Sequence, residues 1–186
     1  MLKHMGTKKI ETERLILRKF EKDDVQDMFN NWSNDADVTQ YLSWNAHSEI
    51  GVTKLIISNW VNAYENMETY IWGIVPKDYG KVAGSISVIE TSDKNMSCEI
   101  GYCLSKNYWN KGLMTEALCA VIDYLMNDVK MNRIFGRNDP NNLASDKVMK
   151  KAGMSLEGTL REVKHLGNDI FSDSNIWSIL KKEYKK

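Results

Sequence analysis

Proline is nearly absent: Pro76 and Pro140 are the only two in 186 residues. With no low-complexity stretch either, nothing marks a linker, and the chain reads as one domain, 1–186, with 1–10 as a flexible segment. Cysteine and histidine are as sparse, at three each. Cys98, Cys103 and Cys119 cannot all pair, and each sits in an apolar run, so they read as small core residues in a reducing cytoplasm. Neither they nor the histidines form a zinc spacing, and no metal is expected. Net charge is missing too, with Lys+Arg and Asp+Glu balanced at 25 each. That excludes a whole-molecule field for recruiting nucleic acid, and the terminal KKEYKK reads as solvated. No window reaches the length of a membrane span, the first fifteen residues hold no apolar core of signal-peptide size, and Gly6 is misplaced for myristoylation. Two nucleotide-binding patterns are absent as well. Gly112 stands outside any GxGxxG, and it has neither a Gly five residues before it nor a Lys-Ser/Thr pair after it.

What is present is a chain that is 42% hydrophobic, enough to bury a substantial core. Weak alternation over 14–20 predicts a strand, and helical spacing predicts helices over 23–32 and 48–64. The polar and aromatic stretch between them, 34–47, reads as irregular with one helical turn. Strands follow at 69–75, 81–90 and 96–104, the first two joined by a turn at PKDYG. Met114, Ala117, Leu118, Val121, Ile122 and Leu125 then recur at helical intervals. RIFGR (133–137) is a short strand, and 141–154 is a helix with Gly153 just past its end. Two last strands, about 155–166 and 173–180, join near Gly167 and Asn168. This order lacks the even βαβ alternation of a doubly wound domain. It predicts an α+β fold, a mixed sheet with helices on both faces.

The junction YWNKG, before the helix of 113–125, is unusual. A helix start usually carries a Ser, Thr, Asp or Asn cap and early acids, yet no acid appears before Glu116. Free N–H groups from about Lys111 to Thr115, the helix dipole and a glycine that permits close backbone approach suit an anion, and a pyrophosphate would fit. Most glycine junctions of this kind bind nothing, so the pattern alone leaves both readings open.

WNKGLMTEA (109–117) resembles the acyl-CoA-binding motif of the GNAT superfamily of N-acetyltransferases, and more closely its version in the RimJ/RimL group of ribosomal-protein N-terminal acetyltransferases. Trp109, Lys111, Gly112, Thr115, Glu116 and Ala117 match; Asn110 replaces a glycine, and Met114 a small residue. TERLILRKF (12–20), NDADVTQYLSWNAHS (34–48), CEIGYCL (98–104), NDPNNLASDKVMKKAGM (138–154), GTLRE (158–162) and DSNIWSIL (173–180) resemble the group's other segments in order, with Trp177 where Tyr is common. The resemblance implies a GNAT-type fold, a central, mostly antiparallel mixed sheet of about seven strands splayed near strands four and five, and direct transfer of acetyl from acetyl-CoA to a primary amine.

It also implies roles. Main-chain groups of Trp109, Asn110, Lys111, Gly112, Leu113, Met114 and Thr115 would hold the pyrophosphate. Those of Tyr102, Cys103 and Leu104 would hold the pantetheine arm and polarise the thioester. Asn142 would bind the arm, and Ser145 would protonate the departing sulfur. The residues by themselves also allow an ordinary buried strand at 99–104, a helix cap at Asn142 and a first-turn hydrogen bond at Ser145. Glu99, the only acid in its apolar strand, should have a raised pKa that suits a base working through water; it could equally face solvent or pair with a lysine. Tyr41, Trp44 and His47 would meet the acceptor, although clustered aromatics also serve as core.

An N-terminal α-amine, with a pKa of about 7.7–8.0, is partly neutral at pH 7, whereas a lysine, at about 10.4, needs far more help. A weak base suits the former. The expected function is acetyl transfer to a protein N-terminal amine, possible targets including a ribosomal protein, by a cytoplasmic monomer or homodimer. A small-amine acetyltransferase acting on polyamines or aminoglycosides is the second reading. A catalytically silent acyl-CoA-binding module, which Asn110 and Met114 leave open, is the third.

Overall fold

Alternation builds the sheet. Leu15 and Leu17 of β2 (Leu15–Arg18), Trp72 and Ile74 of β3 (Ile71–Pro76), Ile86 of β4 (Gly84–Ser92), and Cys98 and Ile100 of β5 (Ser97–Leu104) are all buried in one cluster. β6 (Arg133–Asn138), β7 (Ser155–Gly167) and β8 (Ile170–Leu180) extend it, and a two-residue β1 (Ile10–Glu11) edges it. The structure, a computed structural model, describes residues 2–184; Met1 and the last two lysines of the KKEYKK tail lie outside the described residues. The sheet order is β1-β2-β3-β4-β5-β6-β8-β7, antiparallel except for the parallel pair β5–β6. The strand beyond the expected seven is β1, too short to leave an alternation in the sequence.

The α-helices among the described residues are α1 (Val25–Met28), α2 (Ala36–Thr39), α3 (Ile50–Ala63), α4 (Leu113–Asn127) and α5 (Leu143–Lys151). Helices α4 and α5 cover one face, burying Ala117, Leu118, Val121, Ile122 and Met149 on the cluster just named. The other face carries α1 to α3, whose Met28, Val38 and Ile57 pack with Phe20, Trp32, Val75 and Cys103. The helix expected over 23–32 is a composite. A 3-10 turn (Lys22–Asp24) leads into α1, and a π-type turn (Phe29–Ser33) follows, in which the Asn34 N–H reaches back to the Phe29 carbonyl.

The stretch expected to be a flexible N-terminal segment is instead held against the sheet. The N–H groups of Lys3 and Gly6 donate to the carbonyls of Val129 and Met67, at 2.9 and 2.7 Å. The Tyr124 hydroxyl and Trp72 indole donate to the carbonyls of Gly6 and Lys8. Leu2 and Met5 add apolar contact with the core, so residues 2–9 gain partners that no local pattern reveals.

The feature that positions the site is a fork. β5 pairs with β4 from Ser97 to Leu104, but with β6 only at Ser97, Cys98 and Glu99. Beyond Glu99 the strands part, and β6 runs on with β8 alone as far as Asn138. This is the splay that the resemblance implied. Gly136 lies at the fork, where an added Cβ would stand 3.3 Å from both the Ile100 carbonyl oxygen and Met149 Sδ.

On the joined side of the fork, Arg133 of β6 reaches across β8 to Glu157 of β7 with two bonds of 2.6 Å, and Ser178 Oγ donates to the same carboxylate at 2.7 Å. The Arg133 hydrogen bond, then that of Ser178, hold the Glu157 carboxyl at about 2, below its usual 4.5. A depressed acid stabilises the fold above its unfolded pKa and ceases to do so as pH falls through the folded one. Glu157→Gln should therefore lower Tm at pH 7, and the gap from the parent should close between pH 4.5 and about 2 in a thermal-melt series.

Candidate active site

Two left-handed residues, Asn110 (φ 59°) and Gly112 (φ 76°), shape the loop that enters α4. Gly112 is the N-cap residue, and no side chain caps this helix end. The first helical bond runs from the Glu116 N–H to the Gly112 carbonyl, which leaves the N–H groups of Leu113, Met114 and Thr115 to face outward. Asn110, which departs from the family's glycine, thus occupies a conformation that asparagine tolerates better than most residues.

The loop is braced from behind. Arg14 Nη1 donates to the Lys111 carbonyl at 2.9 Å, while Arg14 Nε and Nη2 each lie 2.7 Å from Glu116 Oε2. Glu116 Oε1 accepts from the Arg14 N–H and from Thr12 Oγ1. Burial raises the Glu116 carboxyl, but the bonds from Thr12 and Arg14 outweigh it and hold the group below its usual range. Trp109 donates its indole N–H to the Leu104 carbonyl at 2.7 Å. The Lys111 and Leu104 carbonyls are thus bonded within the protein. So is the Trp109 N–H, expected above to meet the pyrophosphate: it donates to the Lys106 carbonyl at 3.2 Å. The outward N–H groups are those of Leu113, Met114 and Thr115.

Across the gap, β5 presents alternate main-chain groups. The Ser105 N–H bonds the Ala83 carbonyl, so residues at even spacing from Ser105, including Cys103, turn their main-chain groups to β4. Ile100, Tyr102 and Leu104 turn theirs to the gap, where the Leu104 carbonyl is already taken by Trp109. The expected trio of Tyr102, Cys103 and Leu104 thus divides, and the side chain of Cys103 is buried on the opposite face among the α1–α3 contacts.

Helix α5 begins beside the same gap. Asn142 Oδ1 accepts the Ser145 N–H at 3.1 Å and caps the helix. Ser145 Oγ lies 2.8 Å from the Tyr102 hydroxyl. One oxygen of Asp146, Oδ1, accepts from Asn138 Nδ2 at 3.0 Å, Trp177 Nε1 at 2.9 Å and Asn175 Nδ2 at 3.3 Å, pinning the first turn of α5 to β6 and β8. Asn138, Asp146 and the brace of Thr12, Arg14 and Glu116 did not emerge from the sequence. Only their places in segments that resemble the group's motifs, 12–20, 109–117 and 138–154, hinted at them.

Glu99 points to the other face, since strand alternation sets it opposite Tyr102. Its side chain is 14% exposed and lies 3.4 Å from Arg137 Nε, an arginine rather than the lysine considered above. Burial pushes the Glu99 carboxyl up, Arg137 pulls it down, and Glu90 pushes it up, with a net rise. The 41–47 segment belongs to this face. His47 Nδ1 bonds Thr53 Oγ1 at 2.7 Å, its ring lies 5.1 Å from that of Trp44, and burial lowers its pKa, so it is neutral at pH 7. Trp44 packs on the cluster that includes Cys103, while Tyr41 is half-buried. Lys164 of β7 donates to the Leu42 carbonyl at 3.1 Å, joining the segment to the β7–β8 hairpin. Among the described residues no group of three or more His, Cys, Asp or Glu could hold a metal ion, and no helix is long and apolar enough to cross a membrane.

The sheet thus opens between two parallel strands, with an uncapped helix end on one face and the largely buried Glu99 carboxylate on the other. The chain is a member of the GNAT acetyltransferases: the model described as the acetyltransferase (GNAT) domain matches residues 14–155. It is thus an acetyl-CoA-dependent N-acetyltransferase. An uncharacterized N-acetyltransferase of Bacillus licheniformis, p20, is 30% identical over 173 residues, covering 93% of this chain and 96% of the relative. The ribosomal-protein-serine acetyltransferase of Escherichia coli is 29% identical over 98 residues, covering 53% and 54%. The crystal structure of a GNAT-family acetyltransferase from Bacillus anthracis superposes with a TM-score of 0.82 at 26% identity, covering 94% of this chain and 99% of that one.

Proposed function

We propose that the acceptor is a protein N-terminal α-amine. The observation that carries this reading is Glu99: one carboxylate, raised by burial and offset by Arg137, facing the 41–47 side of the gap. Such a base is weak, and it suffices for an amine that is partly neutral at pH 7. The similarity to a ribosomal-protein-serine acetyltransferase adds support. A polyamine or aminoglycoside site would profit from several uncompensated acids, and Arg137 works against that beside Glu99.

The residues present fit acetyl-CoA. At Gly112 a Cβ would meet nothing closer than Arg14 Nη2 at 3.6 Å, so the loop surface is open to a ligand. The outward N–H groups of Leu113, Met114 and Thr115, with the Asn110–Gly112 loop, would hold its pyrophosphate. The gap-facing groups of Ile100 and Tyr102 would pair with its amide-bearing arm, and Asn142, whose Oδ1 caps α5, retains Nδ2 for the same purpose. Bound there, acetyl-CoA supplies an activated acyl group as a thioester. Transfer forms a C–N bond and breaks the C–S bond; Glu99 removes the amine proton through water, and Ser145 supplies a proton to sulfur.

A competition assay tests the acceptor. With labelled acetyl-CoA, peptides with free N-termini should gain label ahead of N-blocked lysine peptides, spermidine and an aminoglycoside. Labelling of either small amine with the peptides untouched would overturn the reading.

A further inference from the structure

The Tyr102 hydroxyl has no part in the roles above, which use only its main chain. Its oxygen lies 2.8 Å from Ser145 Oγ and 3.4 Å from the Ser145 carbonyl oxygen. A serine hydroxyl has one hydrogen and two lone pairs. If Ser145 gives that hydrogen to Tyr102, it has none left for a sulfur; if Tyr102 donates to it, the hydrogen is free to point elsewhere. The direction of one bond therefore decides whether Ser145 can act as a donor.

Either hydroxyl could be the donor across this 2.8 Å contact, and two observations favour Tyr102. Tyr102 packs against the main core cluster, and burial pushes its phenol up to about 12, the Ser145 hydrogen bond lowering it and the neighbouring Asp146 adding to the rise. Like any phenol it keeps its hydrogen at neutral pH, and of the two acceptors near it Ser145 Oγ at 2.8 Å lies within the usual O–H···O range, whereas the Ser145 carbonyl at 3.4 Å does not. The first turn of α5 is also clamped, by the Asn142 cap within it and by Asp146 Oδ1 to Asn138, Asn175 and Trp177 outside it, so Ser145 Oγ has a fixed place relative to β5.

We propose that Tyr102 is a positioning residue whose O–H donates to Ser145 Oγ and so leaves the Ser145 hydrogen directed to the β5–β6 gap, toward a departing sulfur. This rests on Ser145 as the donor to sulfur. Tyr102 itself gives up no proton; it removes the competing use of the serine hydrogen.

The test combines Tyr102→Phe, Ser145→Ala and the double variant, assayed at a temperature where melting curves show all of them native. Ser145→Ala should lower kcat by about 10²-fold, and Tyr102→Phe by about tenfold with the Kd for CoA unchanged. The double variant should match Ser145→Ala, because Tyr102 acts only through that hydroxyl. A second readout needs no turnover. The thiol of bound CoA, followed by thiolate absorbance with desulfo-CoA as the blank, should ionise at higher pH in Tyr102→Phe than in the parent. A parent-like kcat and thiol titration in Tyr102→Phe, or losses that multiply in the double variant, would overturn the positioning role while leaving Ser145 as donor. A parent-like kcat in Ser145→Ala removes the donor reading, and with it any action of Tyr102 through Ser145.

Discussion

Gly112→Val should weaken CoA binding by roughly 10- to 10²-fold while leaving a folded protein. Gly112 has φ 76° and ψ 2° at the N-cap of α4, a left-handed conformation that a β-branched residue adopts only under strain. That strain is on the order of 1–3 kcal/mol, and each 1.4 kcal/mol is about a factor of ten in affinity if the loop relaxes away from its anion-holding shape. Sterics within the protein are not the cause, since the added Cβ meets only Arg14 Nη2, at ordinary contact distance. The change acts on backbone torsion and on approach to the N–H groups of Leu113 to Thr115. Binding of the native state raises Tm by mass action, so melts with and without CoA measure the effect directly. Equal CoA-induced shifts in parent and variant would remove the loop from the binding site.

Glu99→Gln should cost about 10²-fold in kcat/KM near neutral pH, with the largest loss on the acid side. The substitution keeps the volume and removes a carboxylate whose pKa is already raised by burial, against the pull of Arg137. At low pH the amine is protonated and the variant has no group to relieve it. As pH rises through the amine's own pKa, solvent supplies the free base and part of the rate returns. A peptide with a free N-terminus should recover near about 7.7–8.0, and one offering only lysine near about 10.4. A pH–rate profile identical to that of the parent would leave Glu99 with an orienting role only.

The strands of the core were legible because burial imprints a period. Trp72 and Ile74, or Cys98 and Ile100, alternate since one side of each strand meets α4, and α4 itself repeats Ala117, Leu118, Val121 and Ile122 for the same reason. The anion-suited loop was legible from the missing cap. What stayed hidden depends on contacts between distant parts of the chain. Arg14 and Glu116 are 102 residues apart, and Asp146 meets Trp177 across 31, so no local pattern connects them. The division among Tyr102, Cys103 and Leu104 follows from which residue of β5 bonds β4, a register fixed only when the strands pair. Residues 2–9 carry no periodicity, and the two helical turns around α1 carry one that an undivided helix would share.

The fork has a consequence for the protein's fate when acetyl-CoA is scarce. From Ile100 onward β5 is bonded on one side, as a sheet edge is, although it lies in the middle of the order. The sheet is in effect one strand short, and in the binding mode proposed above a small metabolite would complete it. Protection of this central seam would then follow metabolite supply rather than sequence alone, since ligand that binds only the native form suppresses opening as its concentration rises. A starved cell would hold this enzyme in its least protected form, and a fed one would hold it closed.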